Sequence, residues 1–309
     1  MKILLLGANG QVGHELRRSL APLGEVIATT RGGVLDGVAG ERADFDQPGS
    51  LPALIERVAP DVVVNAAAYT AVDRAESEPD AAFRANAEAP ARLAQACAAS
   101  DALLVHYSTD YVFDGQGARP YREEDPTAPL GVYGASKLAG ERAIQESGCR
   151  HLIFRTAWVY GNHGSNFMRT MLRLGSEREH LNVVADQFGT PTPACVIADS
   201  TARILERRDS RIGIWHLTCA GKASWYEFAV RIFEGASRRG LLQKPVSVLP
   251  IASSEYVTPA RRPGYSCLDI SKLIRDFDIA VPDWETGLDH VLDSRSSIES
   301  GKWSGEAGL

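Results

Sequence analysis

The chain has 309 residues, 44% of them apolar and 23% charged, with a formal net charge of −6. This length is enough to bury a large core and points to one nucleotide-binding-sized domain with a smaller lobe. The acidic balance, with no basic stripe, argues against a nucleic-acid partner, and no stretch approaches the roughly 18 apolar residues of a membrane span.

Small anionic ligands remain open, because a local arginine cluster binds them whatever the global sign. Five cysteines (Cys97, Cys149, Cys195, Cys219 and Cys267) are odd in number and never form a C-x-x-C pair. That pattern fits free thiols in a reducing compartment. The apolar start at Met1 stops at Gly7, short of the roughly 7–15 residues of a secretory core segment. The expectation is a cytoplasmic protein.

Lys2 to Leu6 reads as a buried strand, and Gly7-Ala8-Asn9-Gly10-Gln11-Val12-Gly13 follows at once. Val12, Leu16, Leu20 and Leu23 then keep helical spacing, with Gly24 as a stop. A glycine-rich turn between strand and helix lets backbone approach a pyrophosphate at the positive helix N-terminus. Gly7, Gly10, Gln11, Val12 and Gly13 are therefore candidate dinucleotide ligands; the alternative is a tight structural turn. The second strand, Glu25 to Thr30, ends without the acid that grips a ribose 2′-hydroxyl, and Arg31 stands there instead. That favours NADPH, with NADH still possible; the alternative for Arg31 is a solvated loop charge.

Asp44-Phe45-Asp46 follows a Gly-rich loop, and Leu51, Leu54, Ile55 and Val58 mark the next helix. Asp61 to Tyr69 repeats the pattern of an apolar strand ending in small residues. A helix is expected over about Asp80 to Ala99. Strands alternating with helices predict an α/β fold with a Rossmann-type doubly wound parallel sheet.

The next strand starts at Leu103 and delivers Ser108-Thr109-Asp110 at its carboxyl end, where open α/β sheets bind ligands. Tyr133 and Lys137 stand four apart in a helical segment, Val132 to Ser147, and so share one face. A phenol, an ammonium and a hydroxyl converging there would deliver a proton, the cation lowering the phenol's pKa toward neutrality. Alone, Tyr-x-x-x-Lys is a common solvated helix face. His106, inside the strand, reads as a satisfied core residue, and the seven histidines show no metal spacing.

Beyond Trp158 strict alternation is lost. A helical face at Phe167, Met171 and Leu174, a strand over Asn182 to Asp186, and a capping box at Ser224-Trp225-Tyr226-Glu227 form a smaller mixed α/β lobe. The expected division is residues 1–160 as the dinucleotide-binding domain, with about 190–220 returning to it, and 161–293 mostly as the substrate lobe. Arg262, in Arg261-Arg262-Pro263-Gly264, could grip a diphosphate as a guanidinium fork; the alternative is a solvated loop pair. Ser294 to Leu309 is expected to be disordered.

With the glycine turn, Asn65-Ala66-Ala67 and Tyr133-x-x-x-Lys137 in this order, the chain resembles the extended short-chain dehydrogenase/reductase family. Asn65 to Glu76, Ser108 to Phe113, Phe154 to Gly161, Asp186 to Thr192 and Thr258 to Pro263 narrow the resemblance to the dTDP-4-dehydrorhamnose reductase family. The resemblance covers about residues 1–292. It implies NADPH-dependent reduction of the 4-keto group of dTDP-4-dehydro-L-rhamnose to dTDP-L-rhamnose. It also implies Tyr133 as proton donor, Lys137 as ribose holder and Thr109 as keto-oxygen partner. Gly10, Gln11 and Val12 would meet the pyrophosphate; Arg31, Asp44 and Phe45 would flank the adenosine end; Ala67, Ala68, Tyr69 and Tyr107 would line the cofactor path. Asp110 and Trp158 would face the sugar. A homodimer is allowed. Relatives are described as binding magnesium through carboxylates. One matches Glu15, but the second falls at about Cys195, and a hard cation prefers oxygen to a thiol, so no metal ligand is assigned. Epimerases or dehydratases of the same superfamily and a non-catalytic NADP-binding subunit are the competing readings. The dehydratase Asp-Glu pair is replaced here by Asp110-Tyr111.

Overall fold

The computed structural model describes residues 1–299. Seven strands form one parallel sheet: β1 (Lys2–Leu6), β2 (Glu25–Thr30), β3 (Glu41–Arg42), β4 (Val62–Asn65), β5 (Leu103–Thr109), β6 (His151–Thr156) and β7 (Gly213–His216). Their spatial order is β7-β6-β5-β4-β1-β2-β3. The order reverses between β1 and β4, where Leu4 pairs with Val63 and Leu6 with Asn65. A crevice opens above the carboxyl ends at such a reversal.

Apolar residues point to both faces because helices cover both. Ile3 and Leu5 pack with α1 (Gln11–Leu20) on one side, and Leu4 and Leu6 pack with α2 (Leu51–Val58) and α3 (Ala89–Ser100) on the other. The catalytic candidates ride on α4 (Val132–Glu146), whose Ile144 joins the second layer. The helix expected over Asp80 to Ala99 is broken: Pro79–Phe83 is followed by a π-turn, Arg84–Glu88, before α3 begins. The π-turn carries Asn86, which accepts from Tyr69 N at 2.8 Å and donates to Tyr69 O and Ser136 Oγ, each at 3.0 Å. This single amide splices the strand end of β4 to α4, and nothing in its sequence surroundings signals it.

A third apolar cluster builds the lobe from α5 (Phe167–Glu177), α7 (Trp225–Arg238) and α9 (Trp284–Glu299) around Met168, Phe228, Ile232 and Leu288. The strand anticipated at Asn182 to Asp186 lies at His180–Val184 and pairs in parallel with Ser247–Ile251. The capping box forms as Ser224 and Glu227 bond each other's backbone. Helix α6 (Ala194–Glu206) and β7 return to the sheet layer. So does α8 (Ser271–Phe277), which chain order alone would assign to the lobe: Leu273 and Phe277 pack in the first cluster with Trp215.

The expectation of disorder from Ser294 is corrected as far as Glu299. Helix α9 runs through it, anchored by buried Val291 and Leu292 and by Arg239 Nε on Asp293 at 2.7 Å. The rest of that expectation, residues 300–309, lies outside the described residues.

Candidate active site

A cleft of about 690 Å³ sits above the carboxyl ends of β1, β4 and β5. Its floor begins at the glycine turn. Gly7 adopts φ of 77°, and a Cβ there would press to 2.8 Å from Ala67 N, so this turn requires glycine. Gly10 caps α1 without any side-chain hydrogen bond, which leaves the first-turn N–H groups facing the cleft. Gly13 does not line it; a Cβ there would overlap the Gly7 carbonyl. Having no side chain at Gly13 lets the helix pack closely on the turn.

Gly7, Gly10, Gln11, Val12, Arg31, Phe45, Ala67, Ala68, Tyr69, Tyr107, Tyr133 and Lys137 all line this one cleft. Asp44 does not. Its carboxylate is turned to Arg42 Nη2 at 2.8 Å and to Asp46 N at 3.0 Å, while Ala43, Phe45 and Asp46 take the rim. Arg31 extends from the end of β2 with its side chain 74% exposed, 3.7 Å from Asp46. Thr30 is tied to its own loop, donating to Val34 O at 3.0 Å and accepting from Val34 N at 3.1 Å.

Several lining residues carry no sequence signal, chiefly Gly164 and Ser165 from the loop before α5. Asn166 holds that loop to the glycine turn by donating to Gln11 Oε1 at 2.8 Å. Two further wall atoms, Ser108 Oγ and Thr156 Oγ1, are buried without a protein partner. Buried polar atoms are almost always paired, so these two mark where a polar ligand completes the wall. A glycine cradle, an open helix N-terminus and orphaned hydroxyls together fit a dinucleotide.

At the inner end, Lys137 Nζ donates to Tyr107 O at 2.6 Å and lies 3.2 Å from His106 Nε2. Burial lowers its pKa to about 8, and Glu141 opposes that shift. The Tyr107 hydroxyl points away, to Thr201 Oγ1 at 2.8 Å. Tyr133, one turn before Lys137, stacks edge-on against Tyr111 with centroids 5.7 Å apart. Burial pushes the phenol up to about 12, although a hydrogen bond with Thr109 pulls the other way. The expected lowering by Lys137 is therefore corrected. The amine is committed to the Tyr107 carbonyl, and desolvation of the phenol dominates. The consequence is a phenol that stays protonated at neutral pH, the state a proton donor needs.

Thr109 and Asp110 lie beside Tyr133 but beneath the cleft surface. Thr109 Oγ1 donates to Asp110 Oδ1 at 3.0 Å and accepts from Tyr111 N at 3.1 Å. Burial pushes the Asp110 carboxyl up to about 6 against hydrogen bonds from Ser266 and Thr109. Trp158 lies on the lobe side and has φ of 47°, an uncommon conformation for a bulky residue. It stacks on Trp225 with centroids 3.4 Å apart, and Gly189 leaves the space for its indole. Arg262 is not free to act as a fork in this arrangement, since its Nη2 is 2.9 Å from Asp73 Oδ2.

The donors around Glu15 do not fit magnesium. Burial, with Glu15 and Asp199 nearby, pushes the Cys195 thiol up to about 12, so it stays protonated and offers no oxygen. His14, Glu15 and His163 bring donor atoms within 4.8 Å of one another. Two of these three donors are imidazole nitrogens rather than the oxygens that magnesium prefers.

A model of the RmlD substrate binding domain family matches residues 1–297. The dTDP-4-dehydrorhamnose reductase of Burkholderia thailandensis is 50% identical over 295 residues, covering 92% of this chain and 95% of its own. The crystal structure of a dTDP-4-dehydrorhamnose reductase from Clostridium acetobutylicum matches with a TM-score of 0.87 at 37% identity, over 96% of this chain and 99% of that one. The Bacillus anthracis dTDP-4-dehydrorhamnose reductase, solved in complex with NADP, gives a TM-score of 0.84 at 35% identity, over 95% of this chain and 100% of its own. Sequence, architecture and the arrangement of the cleft agree, and this chain belongs to the dTDP-4-dehydrorhamnose reductase family.

Proposed function

We infer that the chain reduces the 4-keto group of dTDP-4-dehydro-L-rhamnose to give dTDP-L-rhamnose, with NADPH as the reductant. The observation that carries this reading is the placement of a protonated Tyr133 phenol at Thr109, in the cleft that also holds Lys137 and the glycine turn. When bound there, the dinucleotide supplies the hydride to the keto carbon. Tyr133 gives its phenolic proton to the keto oxygen, and the Thr109 hydroxyl rotates from Asp110 to hold that oxygen in line. Lys137 braces the wall behind Tyr133 through its bond to Tyr107 O and presents its amine to the nicotinamide ribose. The main-chain amides that open α1 receive the pyrophosphate. On the lobe side, the indole edge of Trp158 faces the sugar, and Arg262 leaves Asp73 to take the substrate's diphosphate.

The test is to incubate the purified chain with NADPH and a panel of 4-keto nucleotide-sugars and follow the near-ultraviolet absorbance of the reduced nicotinamide. Loss of absorbance with the dTDP-4-keto sugar is expected. No loss with any ketone in the panel would overturn the reading.

Preference for NADPH is supported by Arg31, which lines the cleft just past the end of β2, where the acid that would grip a ribose 2′-hydroxyl is absent. Arg31→Ala is expected to weaken NADPH binding about tenfold, the worth of one charge-assisted hydrogen bond, and to leave NADH nearly unchanged. Titration of both nucleotides checks this, and an unaltered ratio would refute it.

A further inference from the structure

His106 is 1% exposed and the proposed chemistry leaves it unused, yet it lies between two groups that dictate where its proton sits. It stands on β5 directly opposite Asn65 of β4 in the strand register. Asn65 Oδ1 accepts from Ala67 N at 3.1 Å, so the amide nitrogen of Asn65 must be the atom facing His106 Nδ1, at 3.0 Å. An amide NH2 only donates; Nδ1 therefore accepts, and the single proton of the neutral ring resides on Nε2. Nε2 is 3.2 Å from Lys137 Nζ. An ammonium has no lone pair to receive that N–H, whereas a neutral amine does.

We propose that Asn65 and His106 act together as positioning residues for Lys137: they hold an imidazole N–H against the amine and keep it poised to release and regain a proton instead of standing as a permanent cation. This rests on the reading that Lys137 belongs to the catalytic set. The other groups around Nζ agree. The Tyr107 carbonyl accepts from the amine in either state. Tyr133, one turn earlier, is held as a neutral phenol and supplies no compensating charge. Glu141, one turn later, attracts the cation but is committed to Arg155 at 2.7 Å. Burial adds to the effect by lowering the Lys137 pKa to about 8, and burial with the nearby lysine keeps His106 neutral.

Two measurements test this. Nitrogen-15 NMR of the wild-type chain labelled at histidine is expected to show His106 with a bare Nδ1 and a protonated Nε2 throughout the neutral range. An Nδ1–H tautomer or an imidazolium would overturn the proposal without any variant. The second is Asn65→Asp, which places an acceptor on Nδ1, inverts the tautomer and turns a bare Nε2 to the ammonium. The alkaline limb of kcat/KM is expected to move up by about one pH unit or more. In the His106→Leu background the same substitution should move the limb by clearly less, because only the added charge then acts, through space. An undiminished shift there belongs to the added charge alone and refutes the role of His106, as does an unmoved limb in soluble Asn65→Asp that still binds NADPH. A wild-type chain that turns over no ketone would instead remove the reading of the site and leave the tautomer result standing.

Discussion

Tyr133→Phe is expected to cut turnover by about 10²–10⁴-fold, the usual worth of a positioned proton donor, while NADPH binding stays intact. The expectation follows from what the substitution spares. The edge-on contact with Tyr111 is made by the ring and survives in phenylalanine, and Lys137 keeps its bond to the Tyr107 carbonyl. Only the phenolic proton beside Thr109 is lost. Because burial holds that phenol near 12, the wild-type group remains a loaded donor across the neutral range, so its deprotonation should not limit the reaction there. Steady-state rates with a 4-keto dTDP-sugar, set beside NADPH titrations, separate the two effects. Wild-type turnover in the variant would remove Tyr133 from the mechanism.

Glu141→Leu is expected to destabilise the fold by about 3–5 kcal/mol, because it strands a buried guanidinium. The Glu141 and Arg155 side chains are 1% and 4% exposed and bond in a double fork, Nε to Oε1 at 3.0 Å and Nη2 to Oε2 at 2.7 Å. Without the carboxylate, Arg155 keeps only a long bond to Glu123 O at 3.4 Å and the face of Phe113, 5.2 Å from its guanidinium. Neither neutralises the charge. The pair joins α4 to β6 one turn beyond Lys137, so the loss should also loosen the catalytic helix. Urea denaturation monitored by circular dichroism reads the cost. Adding Arg155→Met, which removes the stranded charge, should recover most of it. A midpoint that does not move in the single variant would show that water or rearrangement compensates the charge.

The parallel sheet was legible because its evidence is local. Lys2–Leu6 and Val62–Asn65 are mostly apolar strands, and each is followed at once by small residues that only a close ligand or close packing requires. The glycine turn was legible for the same reason, since a left-handed Gly7 and an uncapped α1 follow from adjacent residues. The four-residue spacing likewise placed Tyr133 and Lys137 on one face of a helix. What could not be read were contacts that only the folded geometry sets, whether their partners are near or far along the chain. Gly13 belongs to packing because the Gly7 carbonyl lies against it, and Asp44 turns from the cleft because Arg42 takes its carboxylate. Asn86 reaches Tyr69 and Ser136 only through a π-turn that helix propensity does not encode.

Protonation shows the division most clearly. Pattern and spacing along the chain were enough to predict a doubly wound sheet, a glycine turn between strand and helix, and Tyr133 and Lys137 on one helix face, since each depends on neighbours within a few positions. The state of those residues was settled by packing. A tyrosine expected to be acidified by its lysine is instead held protonated, and a histidine that looked inert is forced into one tautomer by an amide 41 residues away. Desolvation and hydrogen-bond direction depend on what surrounds a group in three dimensions, and the order of residues does not specify those surroundings until the chain has folded.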